Sequence, residues 1–179
     1  MPAFETERLI CKPLSLLDYA SFELGEEPQW KGFSNPHRHL VDVPGPLVHR
    51  IPRVKIDPSF AEIGLIVAIE KSENIIIGSA GFHDQPDENG MIEIGFGIVP
   101  HFQNRGYGKK LLHGMWKMIL EDSRVKTLRY TVSKDNAPSM HIIENLNFNL
   151  VGEQIDEEDG PELIFELSSE DYKSRFGVN

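Results

Sequence analysis

The chain has 179 residues, which is long enough to bury one sizeable core and within the usual size range of a single domain. Eighteen basic against twenty-eight acidic residues give a net charge of −10, which disfavours nonspecific nucleic-acid binding and favours cationic partners. No apolar run approaches the roughly 18 to 20 residues that a membrane helix requires, and the first residues do not resemble a signal peptide. We therefore expect one cytoplasmic domain over residues 1–179, with neither a nucleic-acid nor a membrane partner.

Cysteine and histidine usage argues against a metal site. Cys11 is the single cysteine, so no internal disulfide and no thiolate metal cluster can form within one chain. It lies in an apolar strand-like run, where a buried, inert thiol is favoured over a nucleophile. His37 and His39 form an H-x-H pair without a partner at a recognisable metal spacing. We expect no metal.

The first third of the chain predicts a strand, a helix and a long irregular segment. Residues 8–14 predict the strand, and Ser15 is the expected N-cap of an amphipathic helix that ends near Leu24. Six prolines in residues 26–60 forbid a long uninterrupted helix and predict loops with short helical pieces. Because so long a loop in a compact domain is usually functional or mobile, we interpret this segment as a lid on the acceptor side.

The remainder predicts strands and helices in a mixed order. The runs GLIVAIE, IIIGSAGFH and MIEIGFGIV predict an antiparallel meander, and helical spacing predicts a helix from Gly106 to about Asp122. A strand, a helix, two strands and a short terminal helix are then expected at 127–133, 137–147, 148–153, 161–167 and 168–176. This order predicts an α/β arrangement with a mixed sheet, unlike the strict alternation of a doubly wound fold.

A turn with two glycines, HFQNRGYGKK, lies between a predicted strand and a predicted helix. The first N–H groups of a helix lack intrahelical acceptors, and Gly106 and Gly108 allow a phosphate to approach the backbone closely. Arg105 and Lys109 add positive charge. A lone G-x-G is also typical of an ordinary strand-to-helix turn, and Leu111 replaces the third glycine of a dinucleotide motif. The turn is therefore a candidate phosphate site.

Four motifs of the chain resemble the GNAT acetyltransferase superfamily. Residues 99–108, VPHFQNRGYG, resemble its [Q/R]-x-x-G-x-[G/A] acyl-CoA loop. EIGFGI, DNAPSMHIIENLNF and TERLICKPLSLLDYASF resemble the loop-preceding strand, the D-N-x-x-S helix and the first strand and helix of the ribosomal-protein N-acetyltransferase (RimJ/RimL-like) branch. The resemblance implies an α/β (α+β) GNAT fold with a mixed, mostly antiparallel sheet of about seven strands, splayed at the acyl-CoA site.

The resemblance also implies which residues contact acetyl-CoA. Ile98 and Val99 would offer backbone groups to the pantetheine arm, and N–H groups from Arg105 through Lys109 would hold the pyrophosphate. Asn136 either bonds the pantetheine amide or caps the helix that follows it. The implied set is Ile98, Val99, Gln103, Asn104, Arg105, Gly106, Tyr107, Gly108, Lys109 and Asn136.

Direct attack of a neutral amine on the thioester is the implied chemistry. Because such amines are mostly protonated near neutral pH, a base assists, and Glu93 is the first candidate. A structural carboxylate is the alternative interpretation of Glu93, and His83 is a second candidate base. Many family members carry a tyrosine where this chain has Ile143. Ser139 is therefore the candidate proton donor to the leaving thiolate, with local backbone bonding as its alternative.

The implied activity is an acetyl-CoA-dependent N-acetyltransferase acting on a protein N-terminus or a small cationic amine. A noncatalytic acyl-CoA-binding or regulatory module is the alternative, favoured by the missing tyrosine and disfavoured by the joint presence of Glu93, Asn136 and Ser139. The acidic residues 156–159 either steer a cationic amine or form a solvated hairpin. Trp30, Phe33 and Phe60 either line the acceptor pocket or anchor the irregular segment. Apolar strands near the C-terminus would permit a homodimer.

Overall fold

The computed structural model describes residues 3–42, 45–156 and 160–178, and its contacts divide the chain into two compact units. Unit 1 comprises Met1–His83 and Phe96–Met115, and unit 2 comprises Asp84–Gly95 and Trp116–Asn179. The strand β5 (Met91–Ile98) and the helix α4 (Tyr107–Ile119) supply residues to both units. A single domain over residues 1–179 stays a prediction.

Unit 1 is built on antiparallel strands. Its own elements are β1 (Phe4–Glu5), β2 (Leu9–Pro13), α1 (Leu16–Glu23), α2 (Leu47–Ile56), α3 (Ala61–Gly64), β3 (Ile66–Glu70) and β4 (Ile75–Phe82). The strand order is β1-β2-β3-β4, and each neighbouring pair is antiparallel. β3 is buried at all of its positions, which explains its continuous apolar run. β2, β3 and β4 confirm the predicted strands, whereas no pattern in the sequence predicts β1 or α3.

Ser15 caps α1 as the sequence predicts. Its hydroxyl accepts a hydrogen bond from the Asp18 N–H at 3.2 Å, and the Asp18 carboxylate accepts one from the Ser15 N–H at 2.7 Å. This reciprocal pair is a capping box, which satisfies two backbone donors that the first turn would otherwise leave without partners.

The irregular segment contains a short helix with a proline inside it. α2 has 10 residues, and Pro52 lies inside it. A proline at this place removes the hydrogen bond to the Val48 carbonyl, four residues earlier. Val48 is exposed, so water can take the place of the missing donor. α2 and the four-residue α3 are the short helical pieces that the sequence predicts for this segment, although Pro52 lies inside α2.

The aromatic residues of the same segment are held by a hydrogen bond, a ring contact and burial. The Trp30 indole N–H donates to Asp18 at 3.0 Å, and its ring stacks on Phe33 with centroids 5.6 Å apart. Phe60 is buried at 1% exposure. These contacts favour the anchoring interpretation of Trp30, Phe33 and Phe60 over a role in lining a pocket.

His39 also anchors the segment, through a hydrogen bond with the sheet. Its Nε2 lies 2.9 Å from the Ser79 hydroxyl on β4, while the Asn35 side chain bonds both its N–H and its carbonyl. Arg38 and Leu40, on either side of it, have positive φ angles of 49° and 66°. Burial lowers the pKa of His39 from 6.5 to about 4. The imidazole is therefore neutral at pH 7 and takes no part in a metal cluster among the described residues.

Unit 2 combines one parallel and two antiparallel strand pairs. Its own elements are β6 (Thr127–Ser133), α5 (Ala137–Asn145), β7 (Asn149–Asp156), β8 (Gly160–Ser168) and α6 (Ser169–Phe176). The strand order is β5-β6-β8-β7, with β5 parallel to β6. β6 alternates between half-buried and buried positions, as a strand with two different faces should. The bounds of β6 equal the predicted range 127–133, and α6 agrees with the terminal helix predicted at 168–176.

The mixed α/β fold with mostly antiparallel pairing is confirmed. The described residues contain eight strands, one more than the roughly seven predicted, and the two-residue β1 accounts for the difference. Among the same residues, no helix is long and apolar enough to cross a membrane. The predicted acidic connection lies mostly outside the described residues, because these include Asp156 but not residues 157–159.

The pKa of His39 predicts a specific loss of stability in acid. The unfolded chain takes up a proton near pH 6.5, whereas the folded chain resists protonation until about pH 4, so stability falls as pH drops through this window. The loss should reach roughly 3 kcal/mol at most. His39→Gln removes the titration and keeps a polar group facing Ser79. Denaturant unfolding between pH 7 and 4.5 should show a shallower decline for this variant than for the unaltered protein.

His141→Gln is the matched control, because His141 is exposed on α5. It should leave the pH dependence of stability unchanged. Identical declines in the unaltered protein and in His39→Gln would contradict the buried neutral state of His39.

Candidate functional site

The end of β5 and the turn after it, the β5–α4 loop (residues 99–106), lie wholly in unit 1. The Val99 N–H donates to the Ile77 carbonyl at 2.8 Å, and the Val99 carbonyl accepts from the Phe102 N–H at 2.8 Å. The Gln103 side chain folds back and donates from Nε2 to the Ile98 carbonyl at 2.9 Å. The Val99 N–H is therefore already paired with β4, while the carbonyls of Ile98 and Val99 each keep a second lone pair for another donor.

Two residues of the β5–α4 loop adopt left-handed backbone conformations. Asn104 has a φ of 59° and Gly106 a φ of 78°, and both residues are exposed. A Cβ placed on Gly106 would meet no atom within 4 Å, so the backbone there is open to an incoming group. Glycine adopts this conformation without the penalty that a side chain imposes, and asparagine tolerates it better than most residues.

The beginning of α4 presents backbone donors that the helix itself does not use. The Lys110 N–H donates to the Gly106 carbonyl at 3.2 Å. The N–H groups of Tyr107, Gly108 and Lys109 come before this bond, in the turn where helical N–H groups have no intrahelical acceptor. They also carry the positive end of the helix dipole, which favours an anion at this place.

Cationic residues lie next to these donors in the sequence. Arg105 and Lys109 are exposed, and the Arg105 guanidinium lies 5.2 Å from the centre of the Phe102 ring. Lys110 forms an ion pair with Glu7, which offsets part of its charge. Arg105 in the loop and Lys109 in the first turn of α4 are therefore the cations here that are best suited to an anionic ligand.

Arg8, which the sequence analysis leaves without a role, contacts the same loop. Its Nη1 donates to the Arg105 carbonyl at 3.0 Å, and its guanidinium carbon lies 3.9 Å from the centre of the Tyr107 ring. The Tyr107 hydroxyl donates to Glu70 Oε1 at 3.3 Å. The resemblance of TERL to the first strand of the family marks Arg8, but only the folded chain shows what it touches.

Glu93 lies on β5 within unit 2. Ile92 and Ile94 are buried at 1% exposure each, while Glu93 is half-buried, so the predicted alternation is confirmed. The Thr131 hydroxyl on β6 donates to Glu93 Oε1 at 2.5 Å. Thr131 is a functional candidate that the sequence analysis misses, because it lies 38 positions away on another strand. It fixes the orientation of the Glu93 carboxylate.

Ser139 lies in the first turn of α5 and is buried at 9% exposure. Asn136 Oδ1 accepts a hydrogen bond from the Ser139 N–H at 3.2 Å, so the helix-capping interpretation of Asn136 is confirmed. The Ser139 side chain also bonds the phenol of Tyr130, and burial raises the pKa of Tyr130 to about 12. A protonated tyrosine thus reaches Ser139 from β6, while Ile143 is fully buried.

The remaining candidates lie elsewhere. His83 is exposed just beyond the end of β4, and the rings of His37 and His101 stack with centroids 6.2 Å apart. Cys11 is completely buried, which raises its pKa to about 12 and keeps it protonated and inert. Within residues 3–42, 45–156 and 160–178, no three His, Cys, Asp or Glu side chains are grouped to hold a metal ion.

Sequence comparison relates this chain to acetyltransferases. The family described as "Acetyltransferase (GNAT) domain" matches residues 8–149, a range that includes the β5–α4 loop, Glu93 and Ser139. "Uncharacterized N-acetyltransferase YjdG" of Bacillus subtilis (strain 168) is 32% identical over 84 residues, which are 47% of this chain and 50% of that protein. The match therefore spans about half the length of this curated relative.

Solved structures share the fold at low sequence identity. A ribosomal-protein-S5-alanine acetyltransferase from Vibrio fischeri has a TM-score of 0.68 and 14% identity, covering 97% of this chain and 100% of its own. A spermidine N-acetyltransferase SpeG chimera from Vibrio cholerae and hSSAT has a TM-score of 0.66 and 14% identity, covering 93% of this chain and 98% of its own. Both confirm the predicted fold. Since the family match covers most of the sequence, the chain belongs to the GNAT acetyltransferase domain family, a family of acyltransferases.

Proposed function

We propose that this protein transfers an acetyl group from acetyl-CoA to a primary amine. The observation that carries the proposal is the junction of the β5–α4 loop with α4, where the open, left-handed Gly106 precedes N–H groups without intrahelical acceptors. Such a junction suits a pyrophosphate, which needs several convergent N–H donors and close access to backbone. Arg105 and Lys109 add the positive charge that a polyanionic donor requires.

The proposed acetyl-CoA contacts follow from these features. The backbone from Arg105 through Lys109 binds the pyrophosphate, and Gln103 and Asn104 shape the approach to it. The carbonyls of Ile98 and Val99 remain able to accept from the pantetheine amides. Asn136 caps α5 through Oδ1, and its amide nitrogen is proposed to contact pantetheine. Acetyl-CoA supplies an activated thioester when it is bound.

Proton transfer is assigned to two groups of unit 2. As the amine nitrogen bonds to the acetyl carbon and the carbon–sulfur bond breaks, Glu93 takes a proton from the amine, directly or through water. Thr131 orients the carboxylate for this step through its 2.5 Å hydrogen bond. Ser139 gives a proton to the departing thiolate, and Tyr130, protonated near neutral pH, can restore it through their hydrogen bond.

The charge distribution supports a cationic acceptor. The residues of unit 1 include eleven acidic and eleven basic side chains, whereas those of unit 2 include seventeen acidic and seven basic ones. The entire net charge of −10 therefore belongs to unit 2. An acidic surface raises the local concentration of cations and speeds their association. We accordingly propose that the acceptor is a small cationic amine or a peptide N-terminus, as in the RimJ/RimL-like branch.

A cytoplasmic location and a homodimer stay predictions from the sequence. So does the splay of the sheet beside the acyl-CoA site.

Thiol release from acetyl-CoA, measured against N-terminal peptides, polyamines, aminoglycosides and amino acids, tests the proposal. We expect the highest kcat/KM for acceptors with several positive charges, and we expect it to fall several-fold as salt is raised, because salt screens exposed charges. Zwitterionic amino acids serve as the control and should show a weaker dependence on salt. CoA binding is measured in parallel by calorimetry.

The outcomes separate two functions. CoA binding without turnover on any acceptor class would favour the noncatalytic acyl-CoA-binding module. Absence of CoA binding would contradict the proposal itself.

Glu93→Gln should lower kcat by about a hundredfold at pH 7, because the amide retains the bond from Thr131 but accepts no proton. The difference in kcat between Glu93→Gln and the unaltered protein should become smaller as pH rises, since more of the acceptor amine is then already neutral. The measurement is kcat as a function of pH with one cationic acceptor, and KM for acetyl-CoA should stay unchanged. Glu153→Gln is the control, because Glu153 is exposed and pairs with Lys134. Equal pH profiles for the unaltered protein and Glu93→Gln would return Glu93 to a structural role.

A further inference from the structure

We propose that Arg8 is a positioning residue for the β5–α4 loop, a role that rests on the proposed function because it concerns the acetyl-CoA site. Arg8 makes two contacts with the loop region, one on each side of Gly106. Its Nη1 donates to the carbonyl of Arg105 at 3.0 Å, and its guanidinium carbon lies 3.9 Å from the centre of the Tyr107 ring. The two contacts thus flank the residue with the greatest backbone freedom.

The hydrogen bond to the Arg105 carbonyl orients the next backbone donor. A trans peptide is planar, so the carbonyl of Arg105 and the N–H of Gly106 point in opposite directions. The structure contains no cis peptide bond among its described residues. When Arg8 holds the carbonyl on its own side, the Gly106 N–H therefore points away from Arg8. This N–H belongs to the set proposed to bind the pyrophosphate.

The Tyr107 ring gives Arg8 a fixed surface. Tyr107 is buried at 4% exposure, and its hydroxyl donates to Glu70 Oε1 at 3.3 Å. The other carboxylate oxygen of Glu70 accepts from the Ser72 N–H, the Ser72 hydroxyl and the Glu73 N–H, at 2.8, 2.6 and 3.0 Å. The ring on which Arg8 stacks is therefore tied to the turn between β3 and β4.

The backbone of Arg8 is held as well. Its carbonyl accepts from the Lys71 N–H at 3.1 Å, and the next residue, Leu9, is completely buried at the start of β2. Glu7 pairs with Lys110 in the first part of α4. Arg8 thus contacts Arg105 and Tyr107, before and after Gly106, and Glu7 contacts Lys110 in the next part of α4. The backbone of Arg8 is therefore fixed on the sheet, and its side chain contacts the β5–α4 loop.

Pre-organisation is the expected contribution to binding. Asn104 and Gly106 are left-handed, and a loop with two such residues has many alternative conformations when unrestrained. Ordering it at the moment of binding would cost affinity, whereas Arg8 holds it before the ligand arrives. A lysine cannot replace this arrangement, because the contact needs a planar group that donates a hydrogen bond and stacks on a ring simultaneously.

The test compares Arg8→Ala and Arg8→Lys with two acetyl donors, acetyl-CoA and S-acetylpantetheine, which lacks the pyrophosphate. Both variants should raise KM for acetyl-CoA about tenfold, the scale expected for one charge-assisted hydrogen bond and one cation–π contact. Their kcat with acetyl-CoA, and their kcat/KM with S-acetylpantetheine, should match the unaltered protein. Thermal unfolding verifies that the variants are folded.

Arg38→Ala is the matched control, because Arg38 also belongs to unit 1 but pairs with Asp42 and Glu27, at 2.6 and 3.6 Å. It should behave as the unaltered protein with both donors. An unchanged KM for acetyl-CoA in Arg8→Lys would mean that charge alone matters and would overturn the positioning role.

Equal losses of kcat/KM with acetyl-CoA and with S-acetylpantetheine would also overturn it. Absence of CoA binding by the unaltered protein would overturn the proposed function and this role together, whereas normal acetyl-CoA kinetics in both Arg8 variants would overturn the role of Arg8 alone.

Discussion

The N–H groups that precede the first intrahelical bond of α4 are the constraint on which the proposed site depends. Backbone donors without acceptors are costly unless water or a ligand satisfies them, and here they come after a glycine that admits close approach. Unit 1 fixes them in place: β4 holds Val99, Gln103 folds back on Ile98, and Arg8 holds the peptide before Gly106. The loop is thereby prepared for an anion before one binds.

The proposed binding of acetyl-CoA and the proposed proton transfer use residues from units of different net charge. Unit 1, with no net charge, contains Arg105 and Lys109, which are proposed to face a polyanionic donor, while the acidic unit 2 contains the groups assigned to proton transfer. Each of those groups has a polar neighbour. Thr131 orients Glu93, and the phenol of Tyr130 supports Ser139. Many family members carry a tyrosine where this chain has Ile143, and the proposed mechanism draws instead on the phenol of Tyr130 beside Ser139.

Local patterns in the sequence predict most of the fold, because they depend on neighbouring residues. The capping box at Ser15, the alternation of β6 and the glycine turn before α4 are all of this kind. The contacts that give the site its organisation join distant residues, and no local pattern encodes them. They include Arg8 with Arg105, Thr131 with Glu93, His39 with Ser79 and Tyr130 with Ser139. Pro52 lies within α2 although proline disfavours a helix interior, and Val48, whose carbonyl loses a donor there, is an exposed residue.

Calorimetric titration of CoA into Gly106→Ala and Gly25→Ala tests the central claim most directly. The two glycines have φ angles of 78° and 75°, and a Cβ on either would meet no atom within 4 Å. Both substitutions should therefore impose the same backbone strain, about 1 kcal/mol, on the folded protein. The account predicts that Gly106→Ala weakens CoA binding at least tenfold while Gly25→Ala binds as the unaltered protein does. Undiminished binding in Gly106→Ala, or equal losses in both variants, would contradict a pyrophosphate site at the start of α4.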